Sequence, residues 1–370
     1  MRLTDICDFQ GGSQPPKDEW LFEKQEGYIR MLQIRDFTQS EKVVPEYVKI
    51  SKSTKICQAD DILIARYGAS IGKILTGLSG AYNVAIMRAI PDTHMLQKKY
   101  LYYYLKSPYF QTAILNVGSR AAQAGFNKED LSKLEIKCPL LSEQDSIIDI
   151  LQKVESIIGK RKKELIFLGE LVKARFVEMF GTLHDNENGF DIVTIEDVCS
   201  LIKDGTHQTP QYTEDKKEGY KFLSSKDVMS QKVDWTNIKY IPAELHEKLY
   251  ATIKPQRNDI LMSKNGVNYG VAAVNDTDEV FDIYVSLALL RPKKIIDPVF
   301  LKCVINNPET KWQFDSSIKG IGVPNLHLGE IKKTRMFLPP IELQNQFADF
   351  VRAIDKSKVA ICRALWRCYL

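Results

Sequence analysis

The residues that could perform chemistry in this chain do not form a recognisable catalytic or metal-binding pattern. Its five histidines and seven cysteines are scattered, with no His–Cys pair at the spacing of a zinc site and no C-x-x-C pair. No Ser or Cys lies in a nucleophile-elbow sequence. We therefore expect no catalytic residue and no bound metal, and unpaired thiols of this kind are typical of a reducing compartment.

Two fragments resemble enzyme motifs only in part. Residues 68–73 (GASIGK) resemble a phosphate-binding loop, but three residues rather than four separate the glycines, and Ile74 replaces the magnesium-binding Ser or Thr. Residues 297–300 (DPVF) resemble the catalytic tetrad of amino-methyltransferases without its second proline, and no glycine-rich cofactor loop precedes them. We interpret the first as a turn that follows a strand, and the second as a helix start with proline near its first position.

The strongest pattern is an internal repeat, which must be recognised before any fold is assigned. Residues 26–28 recur as 218–220, residues 61–72 as 259–270, and Pro139 and Gln144 as Pro339 and Gln344. The offset grows from 192 residues (26 to 218) to 200 (139 to 339), as loop insertions in the second copy would cause. The order of the matches predicts a tandem duplication of one domain.

Each copy predicts the same mixed elements. Residues 61–65 and 259–263 are short apolar runs that open with Asp and end in a glycine-containing turn, as buried strands do. Residues 100–105 and 300–305 predict short helices that stop before a proline, and residues 134–136 and 335–337 predict a last strand. The predicted fold class is α+β, with two pseudo-symmetric mixed α/β domains.

A long helix follows each predicted domain. Apolar residues at alternating four- and three-residue spacing run from residue 142 to about 180 and again from 342 to 370, which is typical of a coiled-coil seam. We expect the two helices to pair antiparallel, although the second is about ten residues shorter. The predicted seam contains Ile147, Leu151, Val154, Ile158, Leu165, Leu168, Leu343, Phe347, Phe350, Ile354 and Ile361. The predicted segments are a first domain at 1–140, a central helix at 141–181, a second domain at 182–340 and a last helix at 341–370.

The composition is that of a globular protein. Hydrophobic residues make up 44% and charged residues 26% of the 370 residues, and the formal net charge is +4. No apolar run approaches the roughly 20 residues of a membrane span, and the first residues do not have the pattern of a signal peptide. We therefore expect a cytoplasmic protein, whose weak positive charge permits nucleic-acid binding without requiring it.

The repeated motifs resemble those of the specificity subunit of type I restriction-modification systems. Residues 203–210 (KDGTHQTP) and, more loosely, 10–16 open the copies, residues 61–63 and 70–73 lie in the middle, and residues 137–144 (KCPLLSEQ) close the first copy. Residues 338–344 close the second copy, where Leu343 replaces the Glu that is usual in the family. The resemblance covers essentially the whole chain.

This resemblance implies a non-catalytic reader of double-stranded DNA. Each domain would be a target recognition domain that contacts one half of a bipartite, asymmetric sequence, and the two helices would set the spacer and dock two methyltransferase subunits. Restriction subunits would complete the complex. The chain itself would carry no cofactor, because S-adenosylmethionine would be bound by the methyltransferase partner. The shorter second helix departs from the family pattern.

The candidate DNA-binding residues are polar and basic side chains near the repeated turns and loops. Arg, Lys, Asn and Gln supply the bidentate contacts that distinguish bases in the major groove, and a solvated loop is the alternative for any one of them. The candidates in the first copy are Gln14, Lys17, Arg30, Arg66, Tyr67, Ser70, Lys73, Arg120 and Asn127. The candidates in the second copy are Lys203, His207, Gln208, Lys226, Lys264, Asn265, Asn268, Tyr269, Lys319 and Asn325.

Two other functions stay open from the residues alone. One is a structural adaptor that does not bind DNA, whose duplicated domains bind proteins and whose helices dimerise. The other is a self-sufficient methyltransferase, which the missing cofactor loop disfavours.

Overall fold

The computed structural model describes residues 1–118, 125–318 and 324–367. The chain divides into two compact units, Met1–Gly159 and Lys160–Leu370. Each unit is mixed α and β, as the repeat predicts.

The first unit holds two sheets. Its elements are β1 Cys7–Gly11, β2 Tyr28–Leu32, α1 Ile34–Thr38, β3 Glu46–Lys49, β4 Ile56–Cys57, β5 Ile62–Ala65, β6 Ile74–Leu75, β7 Gly80–Tyr82, β8 Ile86–Pro91, α2 Lys98–Lys106, α3 Pro108–Gly118 and α4 Lys128–Leu131. One sheet has the order β1-β8-β5-β6 and is antiparallel throughout. The other has the order β3-β2-β7-β4, with β2 and β7 parallel.

A single long helix, α5 (Leu141–Phe180), follows the first globular part. Its first turn carries Glu143, whose carboxylate accepts a hydrogen bond from the Leu140 amide at 3.0 Å. An acidic group at this end is favourable because it satisfies a free helix amide and faces the positive end of the helix dipole.

The second unit repeats the arrangement of the first. Its further elements are β9 Asp191–Thr194, α6 Ile195–Val198, β10 Cys199–Asp204, β11 Tyr220–Leu223, β12 Lys239–Ile241, α7 Ala243–Tyr250, β13 Ile260–Ser263, β14 Ala272–Val274, β15 Phe281–Ile283, β16 Leu287–Pro292, α8 Pro298–Ile305, α9 Pro308–Ser317, α10 Leu328–Lys333, β17 Arg335–Leu338 and α11 Ile341–Arg367. The sheet β10-β16-β13-β14 has the strand order of β1-β8-β5-β6, and the parallel pair β11–β15 corresponds to β2–β7.

One predicted strand is wrong. In the second unit β17 pairs with β9 over four residue pairs, but in the first unit residues 134–136 make only an isolated bridge between Arg2 and Glu135. Residues 1–3 lie opposite residues 134–136, with the Ile136 amide donating to the Met1 carbonyl at 2.9 Å and the Leu3 amide to the Leu134 carbonyl at 2.8 Å, but the chain then enters the 3-10 turn Leu3–Asp5 and the pairing stops at one bridge. A ladder needs a partner of its own length, which the local pattern could not reveal.

The end of α5 and the start of α11 share the core of the second unit. The rings of Phe176 and Phe180 lie 5.5 and 5.4 Å from the ring of Phe347, centroid to centroid, and all three pack with Phe300. The last turns of one helix thus meet the first turns of the other, as an antiparallel pair requires.

The predicted seam is corrected at one position. Ile147 is 36% exposed, whereas its neighbour Ile148 is 7% exposed. The buried predicted positions are Phe347, Ile354 and Ile361. The half-buried predicted positions are Leu151, Val154, Ile158, Leu165, Leu168, Leu343 and Phe350.

Candidate nucleic-acid interface

The same tight turn follows the buried strands β5 and β13. The Gly72 amide donates to the Ala65 carbonyl at 2.9 Å, and the Gly270 amide donates to the Ser263 carbonyl at 2.7 Å. These glycines have φ of +79° and +89°, a left-handed conformation that side chains disfavour. The glycine pattern that resembled a phosphate loop is therefore required by the turn itself.

A second segment is held against this end of the sheet by a close backbone approach. A Cβ on Gly12 would lie 2.1 Å from the Asn83 carbonyl oxygen, and a Cβ on Gly205 would lie 2.0 Å from the Ile283 carbonyl oxygen. Only glycine fits at either position. The chain that follows, with Gln14 in one unit and Gln208 in the other, is thereby positioned by the sheet rather than left as a free loop.

A third segment in each unit completes the group. Isolated bridges join Tyr67 to Gly125 and Asn265 to Asn325. The Leu326 amide also donates to the Lys264 carbonyl at 2.7 Å. We call these three segments the loop cluster; it comprises residues 11–17, 66–73 and 125–127 in the first unit and residues 203–208, 264–270 and 324–325 in the second.

The loop cluster of the first unit presents mostly free polar groups. Gln14, Lys17, Tyr67 and Lys73 are exposed. Arg66 is half-buried, its guanidinium lies 5.0 Å from the Tyr67 ring centroid, and it has no acidic partner among the described residues. These groups can contact phosphates or base edges without first breaking an ion pair.

Two further candidates in the first unit have different surroundings. Ser70 is half-buried in the 3-10 turn Gly68–Ser70. Asn127 is exposed, but its side-chain oxygen accepts from the Asp130 amide at 3.0 Å and caps α4. The Asn127 side chain therefore already has a structural role.

The loop cluster of the second unit differs where the sequence predicted direct contacts. Lys264 is 4% exposed and its ammonium donates to the Asp204 carboxylate at 2.6 Å. Tyr269 is 8% exposed and its hydroxyl donates to Asp315. Both side chains are therefore internal, and this burial corrects their assignment as base-contacting residues.

The exposed candidates of the second unit surround these two. Lys203, His207, Gln208, Asn268 and Asn325 are exposed, and Asn265 is half-buried. The His207 Nε2 lies 3.3 Å from the same Asp204 carboxylate that binds Lys264.

The two units thus carry different charge at equivalent places. Gly11 in the first unit takes the place of Asp204, since Gly12 and Gly205 occupy the same backbone contact, and the Arg66 guanidinium lies 3.4 Å from where a Gly11 Cβ would be. Arg66 consequently has no ion pair and donates only to the carbonyls of Phe126 and Val84, at 3.3 and 3.4 Å, whereas the cation of the second unit is neutralised. Such a difference suits two units that bind different sequences.

Arg30 and Lys226 are used inside the fold. Arg30 pairs with the buried Asp36 at 2.7 Å, and Lys226 pairs with the buried Asp227 and also donates to the Asn237 carbonyl at 2.8 Å. These pairs hold the chain just after β2 and β11. Lys226 is nevertheless exposed and Arg30 half-buried, so DNA binding by these two residues stays a prediction.

The repeated Asp that opens β5 and β13 is also structural. Asp61 is 3% exposed and pairs with Arg88 and Lys98 at 3.0 and 3.1 Å, while Asp259 is 1% exposed and accepts two hydrogen bonds from Arg291 at 2.9 and 2.8 Å. The buried carboxylates are paired, as their burial demands.

One repeated pair of positioning residues has a role that the sequence did not disclose. Gln144 and Gln344 are both 0% exposed, near the starts of α5 and α11. The Gln344 side chain accepts from the Asp297 amide at 2.9 Å and donates to the carbonyls of Pro339 and Ile295 at 2.8 and 3.2 Å. We call each of these buried amides a glutamine latch, because it ties a long helix to its own globular part.

The first latch makes the matching contacts. Gln144 accepts from the Gln97 amide at 2.9 Å and donates to the carbonyls of Met95 and Pro139 at 2.7 and 2.9 Å. The signal was present in the sequence as a glutamine five residues after a proline in both copies, but its meaning depended on contacts about 47 residues away.

Two predicted residues, Arg120 and Lys319, lie outside the described residues. Within residues 1–118, 125–318 and 324–367, no group of three or more His, Cys, Asp or Glu side chains could hold a metal ion. Over the same residues, no helix is both long and apolar enough to cross a membrane.

The duplicated arrangement defines a protein with two mixed α/β units that carry the same loop cluster with different side chains. The family model described as "Type I restriction modification DNA specificity domain" matches residues 1–166 and 187–365. The chain belongs to this family. It provides the DNA sequence specificity of a type I restriction-modification system and is not itself the catalytic component.

Two specificity subunits are similar to it in sequence. One is the Type I restriction enzyme MjaVIII specificity subunit of Methanocaldococcus jannaschii, 22% identical over 380 residues, covering 96% of this chain and 85% of the relative. The other is the Type I restriction enzyme EcoBI specificity subunit of Escherichia coli, 23% identical over 318 residues, covering 76% of this chain and 66% of the relative.

Two solved structures share the fold. The crystal structure of the type I restriction-modification S subunit from M. genitalium matches with a TM-score of 0.53 at 14% identity, covering 100% of this chain and 92% of that one. A chain from a study of complex assembly and conformational transition in the type I system also matches with a TM-score of 0.53, at 16% identity over 99% of this chain and 92% of that one. The α+β class with two sheet-containing units and a long helix is thereby confirmed.

Proposed function

We propose that each unit reads one half of a bipartite, asymmetric DNA sequence through its loop cluster. The observation that carries this proposal is that the same three segments converge at the same end of the antiparallel sheet in both units, with different side chains. A shared scaffold with divergent side chains is what two readers of unlike half-sites require.

The long helices would fix the distance between the half-sites. A 40-residue helix such as α5 is about 60 Å long, while equivalent groove faces of DNA recur every 34 to 36 Å or so. A helix has a defined length, which a flexible tether lacks. The number of base pairs between the half-sites would then follow from helix length.

The same helices would dock two methyltransferase subunits, and restriction subunits would join the resulting complex. S-adenosylmethionine would be bound by the methyltransferase and not by this chain. Calorimetric titration of the isolated chain with S-adenosylmethionine should show no binding. A stoichiometric heat of binding would instead favour a self-sufficient methyltransferase.

The spacer is tested by changing the helix. Four extra residues inserted within the segment 160–163, with no residue removed, would lengthen α5 by about 6 Å. With the methyltransferase partner co-expressed, we expect methylation mapping to show the same half-sites separated by one or two more base pairs. A matched control is the same insertion in the exposed loop at 214–217, which should leave the spacer unchanged. An unchanged spacer in the helix variant would show that α5 does not set the distance.

The isolated chain should bind DNA weakly and with steep salt dependence. Its net charge is only +4, so phosphate contacts must be shared with partner subunits. Specific binding at nanomolar concentration that did not change with salt would contradict this proposal. Family membership does not favour a structural adaptor that has no DNA-binding role.

A further inference from the structure

A basic cleft of about 760 Å³ lies in the second unit, between α11 and the globular part. Its α11 wall is formed by residues at helical spacing, among them Lys356, Val359 and Arg363. Trp235 and Lys302 of α8 also line the cleft. The cleft has no part in the proposed reading of DNA.

Half of the cations in the cleft already have partners. Arg352 pairs with Asp297 and Asp349 at 2.9 and 2.8 Å, and Arg257 pairs with Asp278 at 2.7 Å. Lys232 lies 3.7 Å from Asp355. These pairs need no ligand. The remaining cations, Lys302, Lys356 and Arg363, form no hydrogen bond or ion pair through their side chains with any described residue.

Lys302 is the most informative of the three. The residue is 9% exposed, so its stem is buried while its unpaired ammonium reaches the cleft, and lysines with so little exposure are normally paired. No described carboxylate forms an ion pair with it, although Asp276 and Asp355 line the same open cleft. An anionic ligand in the cleft would supply what is missing.

The cleft is not an extension of the loop cluster. Arg257 and Asn258 of the cleft precede β13, whereas Lys264 of the loop cluster follows it. The four residues of β13 separate the two places by about 13 Å. A DNA duplex bound at the loop cluster therefore does not account for the unpaired Lys302.

The first unit provides an internal comparison. At the offset of 200 residues, Lys302 corresponds to Tyr102 and Arg352 corresponds to Gln152. Glu155 there is satisfied by Lys106 at 3.0 Å and by the Tyr103 hydroxyl at 2.9 Å. Lys302 and Lys356, which correspond to Tyr102 and Ser156, are thus cations of the second copy alone, whereas Arg363 corresponds to another cation, Lys163.

We propose that the basic cleft binds a polyphosphate chain, either free or as the phosphate tail of a nucleotide. Lys356 and Arg363 are seven residues apart on α11, which is about 10.5 Å along the axis, so an extended row of charges matches their spacing without either side chain folding toward the other. A row of phosphates can contact both and still present an oxygen to Lys302. Bound there, it would join α11 to the globular part through charge-assisted hydrogen bonds.

The test is calorimetric titration of the full chain with sodium tripolyphosphate and, separately, with ATP, without magnesium and at constant ionic strength. Lys302→Met and the double variant Lys356→Gln with Arg363→Gln should each weaken tripolyphosphate binding at least tenfold. The matched control is Lys333→Met, at an exposed lysine on α10, which should bind as the unaltered chain does. Equal affinities for the two ligands would show that only the phosphates are recognised, and tighter ATP binding would show that the nucleoside contributes.

A second readout separates a ligand site from a merely structural lysine. Without ligand, Lys302→Met should not lower Tm, because Met keeps the length of the side chain and removes an ammonium that has no ion pair. Tripolyphosphate should raise the Tm of the unaltered chain but not that of Lys302→Met.

Three results would overturn the proposal. One is a variant that keeps the full affinity and the ligand-induced rise in Tm. Another is a rise of the same size with sodium sulfate at the same ionic strength. The third is binding that is lost in Arg66→Gln but kept in the cleft variants, because it would place the anion at the loop cluster.

Discussion

The glutamine latch of the second unit should be a large, localised contributor to stability. Replacing Gln344 with Leu keeps the side-chain size but leaves the Asp297 amide and the carbonyls of Pro339 and Ile295 without their partner in a fully buried position. Each buried group left unsatisfied costs about 1 to 3 kcal/mol. Relaxation and entering water recover part of this cost, so we expect the free energy of unfolding to fall by about 3 to 5 kcal/mol.

The assay combines urea denaturation with amide hydrogen exchange. Urea denaturation followed by circular dichroism gives the free energy, and exchange at the Asp297 amide, which donates to the latch, reports the same site locally. The matched control is Gln346→Leu, two residues further along α11 at an exposed position. A loss of less than about 1 kcal/mol for Gln344→Leu, or an equal loss in the control, would refute the reasoning.

Other substitutions give equally definite outcomes. Gly205→Ala should destabilise the chain by about 2 to 3 kcal/mol, because its Cβ would lie 2.0 Å from a backbone oxygen. The control Gly329→Ala should not destabilise it, because a Cβ there meets nothing within 4 Å. Thermal unfolding of the two variants measures the difference. Arg66→Gln should reduce DNA binding. If Arg66 contacts a phosphate, the slope of log affinity against log salt concentration should also fall by about one. An unchanged slope together with relaxed sequence specificity would instead assign Arg66 to a base contact. Iodoacetamide at pH 8 should modify the exposed Cys362 and spare Cys7, because burial raises the pKa of the Cys7 thiol to about 12 and keeps it protonated. Mass spectrometry of the alkylated peptides measures how far each cysteine is modified.

Much of the architecture was predictable because it depends on local patterns that occur twice. The apolar runs after Asp61 and Asp259 became β5 and β13, and the uninterrupted helical pattern after Pro139 became α5. The glycines at 68 and 72 predicted a turn, since positive φ is a property of the local backbone. The strand predicted at residues 134–136 forms only one bridge because its partner, residues 1–3, runs at once into a 3-10 turn.

The amino-acid sequence by itself determined the duplication, the buried strands β5 and β13, the long helices, and the segments that could face a ligand. Only the tertiary structure decided which side chains in those segments are free. Lys264 looked equivalent to Arg66 along the chain, but Asp204, 60 residues away, neutralises it, and Gly11 leaves Arg66 unpaired. The same holds for the glutamine latches, whose partners lie up to 49 residues away. Periodicity and turn chemistry act between neighbours in sequence, whereas the burial and the charge of a side chain depend on groups that only folding brings together.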